Sequence, residues 1–86
     1  MHLYSQDLYN ATNIGDSAFW FVKVHSIDCP NLISLGEHAF RENPVLTSIE
    51  CLGKISSIPG NCFKQDTALQ TVKIPYECTG IGGSAF

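Results

Sequence analysis

Apolar residues recur along this chain in blocks. The hexapeptide Ile14-Gly15-Asp16-Ser17-Ala18-Phe19 returns as Leu35-Gly36-Glu37-His38-Ala39-Phe40, as Ile58-Pro59-Gly60-Asn61-Cys62-Phe63 and as Ile81-Gly82-Gly83-Ser84-Ala85-Phe86, so its phenylalanines fall 21, 23 and 23 residues apart. Between the hexapeptides, Leu46, Ile49, Cys51 and Ile55 are matched 23 residues later by Leu69, Val72, Ile74 and Cys78. Two deletions bring Val24, Ile27, Cys29 and Leu32 into the same slots. A period of this size marks supersecondary units that bury their apolar face only against a neighbouring unit.

The pattern inside a unit predicts its elements. Ile27-Asp28-Cys29, Ile49-Glu50-Cys51 and Val72-Lys73-Ile74 alternate apolar with charged, as a short strand with one buried face does. A turn and a spaced apolar pair follow (Leu32/Leu35, Ile55/Ile58, Cys78/Ile81), and then the hexapeptide begins. Pro59 stands where other units have Gly15, Gly36 and Gly82, which implies φ of about −65° and suits the start of a single helical turn. Asp16 and Glu37 would lie at the N-terminus of that turn, where negative charge is favoured. The glycines are then expected to serve close packing, not a left-handed backbone. Stacking the units should also align Phe19, Phe40, Phe63 and Phe86 in one ladder.

The run Leu69 to Phe86 fits the pattern LxxIxIPxxVxxIGxxAF at every defined position except Cys78. In this it resembles the BspA-like class of leucine-rich repeat. The resemblance covers Ile14 to Phe86, with a shortened first unit and with Leu52 in the slot that Pro75 fills in the last. It implies an α/β-type repeat solenoid, with a short parallel β-sheet on the concave face and short helical turns or irregular structure on the convex face. Residues 1–13 are read as a degenerate N-terminal unit or cap and residues 14–86 as the array, expected to be a fragment of a longer one. Because strand edges stay unpaired at the end of such an array, end-to-end self-association is a further expectation.

Composition narrows the function classes. Of 86 residues 44% are apolar and 15% charged, with a mean hydropathy of +0.05, which sets the chain apart from disordered segments. Net charge is −3 and the five basic residues are not clustered, so neither a nucleic-acid footprint nor a basic membrane-surface helix is expected. No apolar run reaches bilayer length, and the opening Met1-His2-Leu3-Tyr4-Ser5-Gln6-Asp7 has no signal-peptide pattern. The sequon Asn10-Ala11-Thr12 matters only in a secreted chain. Gly80-Ile81-Gly82-Gly83-Ser84 lacks the Lys of a phosphate loop, and the repeat accounts for its glycines.

Outward strand positions form the columns Ser26/Ser48/Thr71, Asp28/Glu50/Lys73 and Pro30/Leu52/Pro75. The first two are the candidate binding residues, with Glu50 and Lys73 placed to pair across strands; a plain solvated sheet face is the competing reading. The resemblance implies a non-catalytic protein-interaction module of the surface-antigen and adhesin type that holds host or matrix proteins. It also implies a cell-surface or extracellular location, against which the missing signal peptide leaves the cytoplasm open. An intracellular scaffold is the alternative function. A cysteine- or histidine-based redox or metal-binding protein is a more remote one. No cofactor and no catalytic group are expected. Cys29 and Cys51 fall in one inward slot of adjacent strands and are read as buried thiols, as are Cys62 and Cys78. His2, His25 and His38 make no paired-ligand motif with them. Trp20 and Phe21 either cover the gap left by the short first unit or form an exposed contact patch.

Overall fold

The computed structural model describes residues 4–86. Seven short strands carry the fold: β1 (Asn13–Ile14), β2 (Ser26–Asp28), β3 (Ser34–Leu35), β4 (Ser48–Cys51), β5 (Ser57–Ile58), β6 (Thr71–Val72) and β7 (Gly80–Ile81). Every pairing is parallel, in the orders β2-β4-β6, β1-β3 and β5-β7. Parallel neighbours need a long connection between them, and the repeat, with its period of 21 to 23 residues, supplies one. The strand triplets read from alternation thus find their partners one unit away: Ser26 aligns with Ser48 and Ser48 with Thr71, while Ile27, Ile49 and Val72 follow in register.

Leu8 enters the core from a single 3-10 turn, Ser5–Leu8, that packs against β2. Among the described residues this is the one helical element, so the helical turn expected at Pro59 and its equivalents is not formed. The backbone gives the reason. Ser17, His38, Asn61 and Ser84 adopt φ of 58°, 60°, 61° and 56°, and Phe21, Glu42 and Gln65 adopt 62°, 57° and 62°. A left-handed residue interrupts a right-handed helix at once. What forms instead is a pair of tight turns per unit, closed for instance by Ala39 N–H to Gly36 O and by Arg41 N–H to His38 O.

The turns are bonded between units as the strands are. Along the strands, amides donate in both directions, as from Lys73 to Ile49 O, from Gly82 to Ile58 O and from Cys29 to Cys51 O. Along the turns, earlier amides donate to later carbonyls: Ser17 to Glu37, Phe19 to Ala39, Phe21 to Arg41, Phe40 to Cys62 and Phe63 to Ala85. Such close approach explains the glycines. A Cβ on Gly36 would collide with the Asp16 backbone nitrogen, and one on Gly82 would lie 2.5 Å from Gly60 N. Neither has a positive φ, so packing selects both; Gly53, with φ of 59°, is the glycine that occupies the left-handed region.

Between sheets and turns lies the core. Phe19, Phe40, Phe63 and Phe86 stack with centroids 5.4, 5.7 and 5.4 Å apart, and Phe40 and Phe63 have no exposed surface. Val24, Leu46, Ile27, Ile49, Leu32 and Ile55 fill the remaining slots and are buried. All four cysteines are free. Cys29 and Cys62 are buried, and withdrawal from water pushes both thiols up to about 12. Cys51 is displaced from the shared slot, because a register shift after Ile27 sets it opposite Asp28, and it is only half-buried.

Three measurements test this core. Phe40→Ala should cost about 3–5 kcal/mol in chemical denaturation, and an unmoved midpoint would refute the ladder. Gly36→Ala should destabilise, whereas Gly15→Ala, whose Cβ meets nothing within 4 Å, should gain about 0.4–1 kcal/mol. Native alkylation should modify Cys51 and Cys78 before Cys29 and Cys62. All four should react in denaturant without reductant, and any lower uptake would reveal a disulfide.

Candidate functional site

The outward side of β2, β4 and β6 is set by the alternation that buries Ile27 and Ile49. Ser26, Asp28 and Ser48 lie half-buried at its surface, and Glu50, Thr71 and Lys73 are exposed. The hydroxyl column is continuous, since Ser26, Ser48 and Thr71 are register partners. The charged column is not. The shift between Ile27 and Asp28 puts Asp28 opposite Cys51, leaving Glu50 with a neighbour on one side only. Toward β6 that neighbour is Lys73, whose Nζ stands 3.4 Å from Glu50 Oε2. The cross-strand pair expected from the alignment is therefore present, and Asp28 is outside it.

The third expected column also fails at its centre. Leu52 is 1% exposed and belongs to the core, while Pro30 and Pro75 are half-buried. Gly53 accounts for the inward turn. Its left-handed backbone lies against Leu32, where a Cβ would come within 2.5 Å of the Leu32 nitrogen, and the next amide, Lys54 N–H, donates to Leu32 O at 3.0 Å. Gly53 lies outside the hexapeptides that carried the periodicity, and only its isolated occurrence after a strand pattern signalled a bulge.

On the turn side, Trp20 and Phe21 do not close a gap: they are 39% and 67% exposed. Trp20 stacks on His38 with centroids 4.9 Å apart, and the Arg41 guanidinium carbon lies 4.8 Å from its ring centre. Arg41 also meets His38 Nδ1 at 3.1 Å and Glu42 Oε1 at 3.7 Å. Because Trp20 and Arg41 fill the same slot of consecutive units, their stacking follows from the alignment; the addition of His38 does not. Cation–π contact of this kind contributes about 0.5–1 kcal/mol at an exposed site.

Two further residues escaped the sequence reading. Asn43 and Asp66 occupy equivalent slots and are buried. Asn43 N–H donates to Asp66 Oδ1 at 2.7 Å, and Asn43 Nδ2 donates to Phe40 O at 2.5 Å and Phe19 O at 3.2 Å. Their 23-residue spacing was the available signal.

No pocket forms among the described residues. No three His, Cys, Asp or Glu side chains converge there as metal ligands, and His2 lies outside the described residues. No helix among the described residues is long and apolar enough to cross a membrane.

Comparison with known proteins agrees with this architecture of short parallel strands and little helix. The family model for the BspA type leucine rich repeat region matches residues 5–86 in six copies. No curated protein and no solved structure matches the chain. Leucine-rich repeats as a class mediate protein–protein interaction and are typically non-catalytic, and the BspA type is often surface-associated. With matching repeats over nearly its whole length, the chain belongs to the BspA-type leucine-rich repeat family.

Proposed function

We propose that this chain is a non-catalytic protein-binding module whose ligand lies across β2, β4 and β6. On this reading the units wind as a solenoid with that sheet as its concave face, and the contact residues are Ser26, Asp28, Ser48, Glu50, Thr71 and Lys73. The observation that carries it is the aligned hydroxyl column Ser26/Ser48/Thr71 beside the Glu50–Lys73 ion pair. Hydroxyls both donate and accept, so three of them one strand apart suit a partner's backbone or polar side chains, while the charges fix its orientation. The surface has no aromatic anchor, which favours a modest, polar contact over a tight one.

Family membership supports a protein partner. Adhesin-like capture of a host or matrix protein at a cell surface is the finer form of the proposal, and end-to-end association of arrays is a second contact of the same kind. The exposed Glu50–Lys73 pair contributes at most about 1 kcal/mol to stability, so both residues can be replaced without loss of the fold. Glu50→Ala with Lys73→Ala should weaken binding to immobilised matrix proteins at least tenfold in surface plasmon resonance, with the unfolding midpoint nearly unchanged. Binding left intact by the double variant would move the contact to the turns.

A further inference from the structure

The second and third units meet on the turn side through two polar residues that have left water. Asp66 is 8% exposed and Asn43 has no exposed surface. Asp66 Oδ1 accepts the Asn43 amide at 2.7 Å, whereas Asp66 Oδ2 is buried without a partner. The equivalent atom one unit earlier has partners: Asn43 Nδ2 donates back to Phe40 O, three residues before it. The residue three before Asp66 is Phe63, whose carbonyl accepts the Asp66 amide at 3.3 Å. An amide nitrogen can fill that slot because it is a donor. An ionised carboxylate cannot, since it only accepts, whereas a protonated one places an O–H where Asn43 places N–H.

We propose that Asp66 is a proton-operated latch on the turn of the third unit: protonated, it closes that turn on Phe63, and ionised, it leaves a buried carboxylate oxygen unpartnered and destabilises the turn. Burial is what raises the Asp66 pKa, to about 7, opposed by the bond from the Asn43 amide. The titratable and charged side chains on the segments packed around it are His38, Arg41 and Glu42 on the turn leading to Asn43, and Cys62 and Lys64 on its own turn. Arg41 is taken up by His38, Glu42 and Trp20. Cys62 keeps its proton to about 12. None of them adds to the causes of the Asp66 shift, so the latch responds to bulk pH through this one group.

The sign follows from linkage. The unfolded chain releases the Asp66 proton near 3.8 and the folded chain near 7, so folding takes up one proton between these values. The stabilisation is complete below about pH 4, declines with rising pH and is gone above about 7. The test uses the whole chain. Carboxyl-carbon NMR should give Asp66 a midpoint near 7, and exchange protection of the Asp66 amide, which donates to Phe63 O in the same turn, should fall as Asp66 ionises. The unfolding constant of the wild type should rise about tenfold per pH unit across the window, and Asp66→Asn, which restores the donor Asn43 supplies, should abolish that slope. An Asp66 midpoint in the ordinary carboxylate range overturns the proposal, as does an Asp66→Asn variant with the wild-type slope. Should that variant not fold, the carboxyl titration and the Asp66 amide protection in the wild type decide alone.

Discussion

Each unit of this chain satisfies its backbone and its aromatic side chain only in the next unit, and the rest of the structure depends on that. A strand of two to four residues has no internal hydrogen bonds, and an unpaired buried amide or carbonyl is costly. The neighbours therefore have to approach to bonding distance along both the strands and the turns. Phe40 then sits between Phe19 and Phe63 at ring separations of 5.4 and 5.7 Å. The same approach leaves no room for a side chain at Gly36 and Gly82, and puts Ala39, Cys62 and Ala85 just before the ring. Cysteine serves there as a small apolar side chain with its proton retained.

Fixing the interior in this way leaves chemical variety to the surfaces. Strand positions that face outward can change from Asp28 to Glu50 to Lys73 without disturbing the core, and the turn slot can change from Trp20 to Arg41 to Lys64. Both sequences of change end up pairing unlike residues between adjacent units: an ion pair on the sheet and a cation against a ring on the turns. A repeat whose surface columns carried one charge throughout would set like charges about 4.8 Å apart, which is destabilising. Variation along a column is thus favoured by stability alone, and it also gives the surface a distinctive polarity.

The repeat made the strand register, the phenylalanine ladder and the Glu50–Lys73 pair legible, because each depends only on residues one period apart. Other features depend on local backbone geometry that the side chains did not announce. Glycine is the usual sign of a left-handed residue, yet Ser17, His38, Asn61 and Ser84 hold that conformation while Gly36 and Gly82 serve packing, so the hexapeptide read as a helical turn. Alternation through Ile49, Glu50 and Cys51 looks regular, and it hid the shift that separates Asp28 from Glu50. Leu52 occupies a proline slot on paper but is turned into the core at Gly53. In the candidate site, the hydroxyl column was readable in full and the charged column in its second half.

Asn43 and Asp66 show how a repeat concentrates a local chemical difference. In a stack of nearest-neighbour contacts each junction has its own stability, and the whole holds together only as well as its weakest junction. The first and second units meet through Phe19 O and the Asn43 amide group, which needs no proton change to bond. The second and third meet through a carboxyl group whose second oxygen is unpartnered. Asn43 Oδ1 is buried without a partner as well, so what separates the two residues is their remaining atom, a nitrogen that donates against an oxygen that only accepts until it is protonated. Because an unpartnered buried oxygen is costly and more so when charged, that atom makes the turn of Asp66 the place where proton concentration outside the core is felt.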